Sequence, residues 1–124
     1  MPLLARQPQA AIVNIASALA IAPKRSAPVY CATKAGLRGF TRALRYRCED
    51  AAPHLRVVDV ILPLVATRMT EGRGSGKMPP AEAARAILGG LRRGSDEVWV
   101  GKSQALRLIH RFAPGLAARM LRNG

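Results

Sequence analysis

The sequence is short of acid. Its 124 residues hold 7 Asp and Glu against 20 Lys and Arg, a formal net charge of +13. It is also short of aromatic residues, at 4%. A nucleic-acid reader of single strands needs stacking side chains among its basic ones, so the second scarcity weighs against the reading that the first invites. The arginines are scattered over the whole chain, with no basic run of five or more. Such charge reads as a solvated surface, and no nucleic-acid partner is expected. Attraction to acidic partners or to a membrane surface stays compatible with it.

Cysteine is nearly absent. Cys31 and Cys48, placed on one helix, would stand about 25 Å apart along its axis, far beyond disulfide reach. They read as reduced thiols of a cytoplasmic protein. His54 and His110 have no Cys or His partner at ligand spacing, so no metal site is expected. No apolar run reaches the roughly 18 residues that span a bilayer. The opening "MPLLARQPQAAIV" has one Arg, two prolines and no long apolar segment, a poor signal peptide. The length suits one small domain, residues 1–124.

Two apolar runs of β-branched character, "AAIVNIAS" (Ala10 to Ser17) and "LRVVDVIL" (Leu55 to Leu62), predict strands, the first buried on both faces. Pro63 ends the second. Between them, Val29 to Glu49 mixes small and apolar residues with arginines at helical spacing, and Ser26 followed by Pro28 predicts the helix start. "TEGRGSGKMPP" is a loop. Its Gly76-Lys77 is not a P-loop, because Met78 stands where Ser or Thr is required and Glu71 where the first glycine should be. "PAEAARAILGGLRRG" predicts a helix opened by Pro80 and closed by Gly94, "DEVWVG" a third short strand, and the remainder two amphipathic helices split at Pro114. Strand, helix, strand, helix, strand implies a parallel sheet with right-handed crossovers. The expected class is α/β: a partial Rossmann-type, doubly wound three-stranded sheet (βαβαβ) with C-terminal helices.

Tyr30 and Lys34 are four residues apart, on one face of the predicted helix. Alone the pair means little, since a tyrosine packed under a snorkelling lysine has the same spacing. Position adds to it. In parallel α/β sheets ligands sit beyond the C-terminal ends of the strands. Ser17, the start of the Tyr30 helix and the Pro63 loop should converge on that rim. A nearby ammonium favours the phenolate of a tyrosine, which can then exchange a proton with a carbonyl or alcohol oxygen. Ser17 can hydrogen-bond the same oxygen.

"IVNIAS", then "YCATKAG" thirteen residues after its serine, then "LRVVDVILPLVATRM", together resemble the short-chain dehydrogenase/reductase family of Rossmann type. "HRFAPGLAARML" resembles the ending of its DltE-type branch. The resemblance implies an NAD(P)-dependent oxidoreductase that moves hydride between nicotinamide and a small carbonyl or alcohol substrate. It implies catalytic roles for Ser17, Tyr30 and Lys34, and cofactor contacts from Tyr30, Lys34, Val65 and Thr67, with NAD or NADP as cofactor. "EGRGSGK" would be a lid over the substrate. The family usually writes Pro-Gly where this chain has Leu62-Pro63.

The family's glycine-rich turn, its acidic or basic cofactor selector and its asparagine motif are not found. The expectation drawn from this is a truncated C-terminal half of such an enzyme, without its N-terminal dinucleotide-binding half. On that expectation the isolated chain would self-associate or need the missing half. The alternative is a non-catalytic fragment acting as a binding or interaction module, its basic C-terminal helices in weak contact with a membrane surface or a partner.

Overall fold

The structure, a computed structural model, describes residues 2–123. The elements run α1 (Pro2–Ala5), β1 (Ala10–Ser17), α2 (Pro28–Ala51), β2 (Leu55–Leu62), α3 (Pro80–Arg92), β3 (Glu97–Trp99), α4 (Lys102–Phe112) and α5 (Pro114–Arg122), with 3-10 turns at Ala18–Ala20 and Arg68–Thr70. The three strands form one parallel sheet in the order β1-β2-β3. The α/β class and the βαβαβ order are those expected from the sequence.

β2 is the central strand, and its alternation sorts the helices onto two layers. Val58 and Val60 join Val98 and Val100 in a core that Ala86, Ile87 and Leu91 of α3 cover. Leu55 and Val57 point the other way and pack with Leu44 and Cys48 of α2. Helices on both faces make the sheet doubly wound. A third cluster, Ala22, Leu106 and Ala117, ties α4 and α5 to the segment after β1.

β1 differs from expectation. Within it only Ala16 is buried. The reason is its place at the sheet edge, with β2 as its only strand partner among the described residues. The helix start differs too. Ala27, not Ser26, occupies the N-cap and offers no side-chain bond, while Pro28 takes the first helical position. The end of α3 follows expectation. Gly94 has φ 77°, its N–H reaches the Leu91 carbonyl at 3.1 Å, and Ser95 N–H reaches that of Gly90 at 3.1 Å. This is a Schellman closure, which a left-handed glycine allows. Cys31 and Cys48 both lie on α2, buried and unpaired.

A polar stripe fixes α2 on the sheet. Lys34 Nζ donates to the Ile15 carbonyl (2.8 Å), and Arg38 Nε to Asp59 Oδ2 (2.7 Å). Thr41 Oγ1 accepts from Asn14 Nδ2 (2.9 Å). Arg45 donates to the carbonyls of Val57 (2.8 Å) and Asp96 (2.7 Å). The spacings of four, three and four keep these residues on one helical face.

Candidate active site

The site sits at the C-terminal rim of the sheet. Ser17 is the last residue of β1 and pairs in register with Leu62, the last of β2. The loop that opens at Pro63 therefore starts beside Ser17. The serine caps the following 3-10 turn, its Oγ accepting from Leu19 N–H at 3.2 Å. That bond uses an acceptor site and leaves the hydroxyl proton free to donate.

Tyr30 lies in the first turn of α2, half-buried, and Lys34 follows one turn later. The Lys34 ammonium stands 5.8 Å from the Tyr30 ring centroid. Its bond to the Ile15 carbonyl, two residues before Ser17, ties the pair to the strand that ends in the serine. Two of its three N–H donors remain for other partners. So the structure brings Tyr30 and Lys34 together and anchors them to the strand of Ser17.

The Pro63–Thr67 loop is braced internally. Val65 forms a parallel bridge with Met78, through Met78 N–H to the Leu64 carbonyl (2.9 Å) and Ala66 N–H to the Met78 carbonyl (2.9 Å). The Val65 carbonyl accepts from Thr70 Oγ1 at 2.6 Å, while no partner for its N–H occurs among the described residues. Thr67 and Thr70 cap each other reciprocally. Lys77 Nζ donates to the Thr70 carbonyl and closes the base of the "EGRGSGK" segment. The bracing roles of Thr70, Lys77 and Met78 do not follow from the sequence. The Thr67-x-x-Thr70 spacing was the one available signal for the cap.

A cavity of about 510 Å³ lies on the other flank of α2, lined by Leu19, Pro23, Pro28, Cys31, Ala35 and Arg122 among others. It borders the loop after Ser17 but includes none of Ser17, Tyr30 and Lys34. Among the described residues no cluster of metal-ligating side chains is present.

A parallel α/β sheet with serine, tyrosine and lysine gathered at its C-terminal rim defines the class: a Rossmann-like fold with polar groups where such folds bind ligands. Residues 1–77 match the family model described as short chain dehydrogenase, and the chain belongs to that family. A short chain dehydrogenase from Burkholderia cenocepacia J2315, solved in complex with NADP, superposes with a TM-score of 0.86 at 30% identity. The match covers 97% of this chain and 50% of that one. The Bacillus subtilis (strain 168) protein described as uncharacterized oxidoreductase DltE is 35% identical over 112 residues, 86% of this chain and 44% of that protein. Carbonyl reductase family member 4 of Danio rerio is 40% identical over 88 residues, 63% of this chain and 36% of that protein. The chain thus spans about half the length of these relatives, or less.

These findings correct one expectation. The family match falls on residues 1–77, and the NADP complex aligns along 97% of the chain. They overturn the reading of a truncated C-terminal half whose cofactor-binding region is missing, and with it the doubt about activity drawn from that reading. That expectation rests on three absent features, of which the glycine-rich turn weighs most. Such a turn serves the pyrophosphate of a dinucleotide and says nothing of the groups that meet its other end.

Proposed function

We propose that the chain acts as an NAD(P)-dependent oxidoreductase on a small carbonyl or alcohol substrate, with Tyr30 as general acid/base. The observation that carries this reading is the anchoring of Tyr30 and Lys34, through Ile15, to the strand that ends in Ser17. Two relatives point to the chemistry: one was solved in complex with NADP, and another is described as carbonyl reductase family member 4.

The donor set fits a nicotinamide nucleoside. Lys34 has two N–H donors to spare for ribose hydroxyls, and the Tyr30 phenol lies on the same helical face. The Val65 N–H, without a partner among the described residues, suits an amide oxygen, and Thr67 borders the same loop. When bound, the cofactor supplies or accepts the hydride. The remaining work falls to the chain's own residues. In reduction, Tyr30 Oη gives its proton to the carbonyl oxygen as charge develops there, and the phenolate left behind recovers a proton from solvent. Ser17 Oγ–H donates to the same oxygen and holds it in place. Lys34 stabilises the phenolate electrostatically. Oxidation of an alcohol runs the same proton transfer in reverse. The Glu71–Lys77 segment, held at its base by the Val65–Met78 bridge, serves as the lid.

Two features of setting belong to the proposal. The unpaired buried cysteines suit a reducing, cytoplasmic compartment, and no described helix is long and apolar enough to cross a membrane. The open edge of β1, with Ile15 38% exposed, suits self-association by strand pairing. The basic C-terminal helices, with Phe112 and Met120 exposed, suit weak contact with an anionic membrane surface; co-sedimentation with anionic but not neutral vesicles tests that contact.

The test of the reaction is Tyr30→Phe, assayed by NADPH and NADH oxidation against a panel of ketones and aldehydes. Turnover should fall by about 10²–10⁴-fold, with cofactor affinity little changed. A phenylalanine variant as active as the parent would sink the assignment.

A further inference from the structure

The opposite flank of the molecule carries a second polar feature that the proposed reaction does not use. Between α3 and α4, along the outer edge of β3, lies a groove of about 590 Å³. This volume is in the range of small-molecule sites. Four arginines line it: Arg85 from α3 and Arg93 at its C-cap, Arg107 and Arg111 from α4. Glu97 is the sole carboxylate in the lining, and it is already committed. Its Oε1 lies 3.3 Å from Arg38 and 3.7 Å from Arg42, and its Oε2 accepts from Trp99 Nε1 at 3.1 Å. Among the described residues no carboxylate lies within ion-pair distance of the four groove arginines.

The groove is shaped as well as charged. Arg107 and Arg111 stand one turn apart on the same side of α4, and the Arg107 guanidinium lies 5.4 Å from the Trp99 ring centroid. The contact favours a position of that guanidinium beside the ring. Across from it, Gly89 presents bare backbone, over which the Arg93 side chain lies: a Cβ there would sit 3.2 Å from Arg93 Nη1. The four guanidiniums are exposed and border one concavity, where an anion would be attracted to all of them. Planar guanidinium forks are suited to phosphate oxygens, two at a time.

The geometry points to a binding site for a compact polyanion carrying two or more phosphate groups, held by Arg85, Arg93, Arg107 and Arg111. It is separate from the Tyr30 site: none of Ser17, Tyr30, Lys34, Val65 and Thr67 lines it. The ligand chemistry is shared by inorganic oligophosphates and by the phosphate tails of nucleotides.

Isothermal titration of the whole chain with inorganic triphosphate, at fixed ionic strength, tests the site. The parent should bind with one-to-one stoichiometry. The double variant Arg85→Gln/Arg111→Gln, at exposed positions, should bind at least about tenfold more weakly. Arg47→Gln/Arg119→Gln removes the same charge elsewhere and should leave affinity within about twofold. Equal losses in the two variants would overturn the proposal, since the binding would then follow net charge alone. So would no binding by the parent. A nucleoside triphosphate that binds more tightly than triphosphate, with the same dependence on the groove arginines, identifies a nucleotide as the source; equal affinity identifies the oligophosphate. A duplex oligonucleotide that displaces triphosphate at lower phosphate concentration would also overturn the proposal, by making the groove part of a wider basic surface.

Discussion

Arg38→Met tests how the helix bearing Tyr30 and Lys34 is held. Asp59 lies in the middle of β2, 3% exposed, and its Oδ2 receives Arg38 Nε at 2.7 Å. Its Oδ1 is buried without a hydrogen-bond partner. Among the described residues Arg38 is therefore the one cation that compensates this carboxylate, and methionine would leave it buried and unpaired. Breaking a buried pair from one side costs about 3–5 kcal/mol. Arg38 keeps 20% of its side chain exposed, so water can approach and the lower end, about 3 kcal/mol, is expected. A domain of this size has roughly 5–15 kcal/mol in total, so the variant should lose a large share of its stability. The melting temperature should fall by about 10 °C or more. Urea and thermal unfolding measure the loss. Arg38 also touches Glu97 (3.3 Å) and stacks on Trp99 (5.2 Å). Glu97→Gln isolates the more exposed of these ion pairs, expected to be worth at most about 1 kcal/mol. Arg38→Met combined with Asp59→Val removes both charges and should recover at least half of the loss. A single Arg38→Met variant within about 1 kcal/mol of the parent would refute the reasoning.

Adjacent glycines on α3 should respond differently to alanine. A Cβ at Gly90 would meet Val98 Cγ2 at 2.5 Å and Cγ1 at 2.7 Å; Gly90→Ala should cost about 1–3 kcal/mol by overpacking, despite its better helix propensity. At Gly89 the nearest atom is the mobile end of Arg93 at 3.2 Å, so Gly89→Ala should be neutral or gain up to about 1 kcal/mol in chemical denaturation. Equal effects at the two positions would contradict the packing. For the β1 edge, sedimentation velocity should show concentration-dependent association of the parent and a shift to monomer in Ile15→Lys, which puts a charge on the pairing surface; a parent that stays monomeric at tens of micromolar would sink that reading.

Local pattern made much of this fold legible, and contact at a distance made the rest illegible. The bounds of β1 and β2 follow from apolar runs ended by a turn or by Pro63, and the break between α4 and α5 follows from Pro114. The degree of burial of β1 did not follow. "AAIVNIAS" reads alike at an edge or in the middle of a sheet, and only the strand order decides. β3 is shorter than "DEVWVG" suggests, with Asp96 and Val100 outside it. Tyr30 and Lys34 were legible because four residues bring both onto one helical face. Arg38 was not. Among evenly scattered arginines nothing marks one that pairs with a buried aspartate 21 residues away. The groove arginines come from α3, its C-cap and α4, and no spacing rule links residues 85 and 93 to 107 and 111.

The stripe on α2 joins these observations to the chemistry. Lys34, Arg38, Thr41 and Arg45 reach four different points of the sheet: Ile15, Asp59, Asn14 and Val57. A helix held by apolar contact alone can slide or roll by a fraction of a turn at small cost, because dispersion and burial are not directional. Hydrogen bonds of 2.7–2.9 Å at four points along the helix do not allow that. Tyr30 stands one turn before the first of them. Its position relative to Ser17 is thus set by bonds further along the same helix, including the pair Arg38 makes with Asp59. Proton transfer needs the donor within hydrogen-bond reach of the reacting oxygen, and an ångström of misplacement can cost two orders of magnitude in rate. Asp59 is a costly residue to bury in the central strand, and an apolar side chain there would give as stable a core or a better one. What an apolar residue cannot supply is a directional contact that fixes the rotation of α2. On this argument Arg38→Met/Asp59→Val, although restored in stability, should still turn over more slowly than the parent, with the loss in kcat exceeding any change in cofactor Kd. Full recovery of kcat together with stability would show that the pair holds the fold and nothing more.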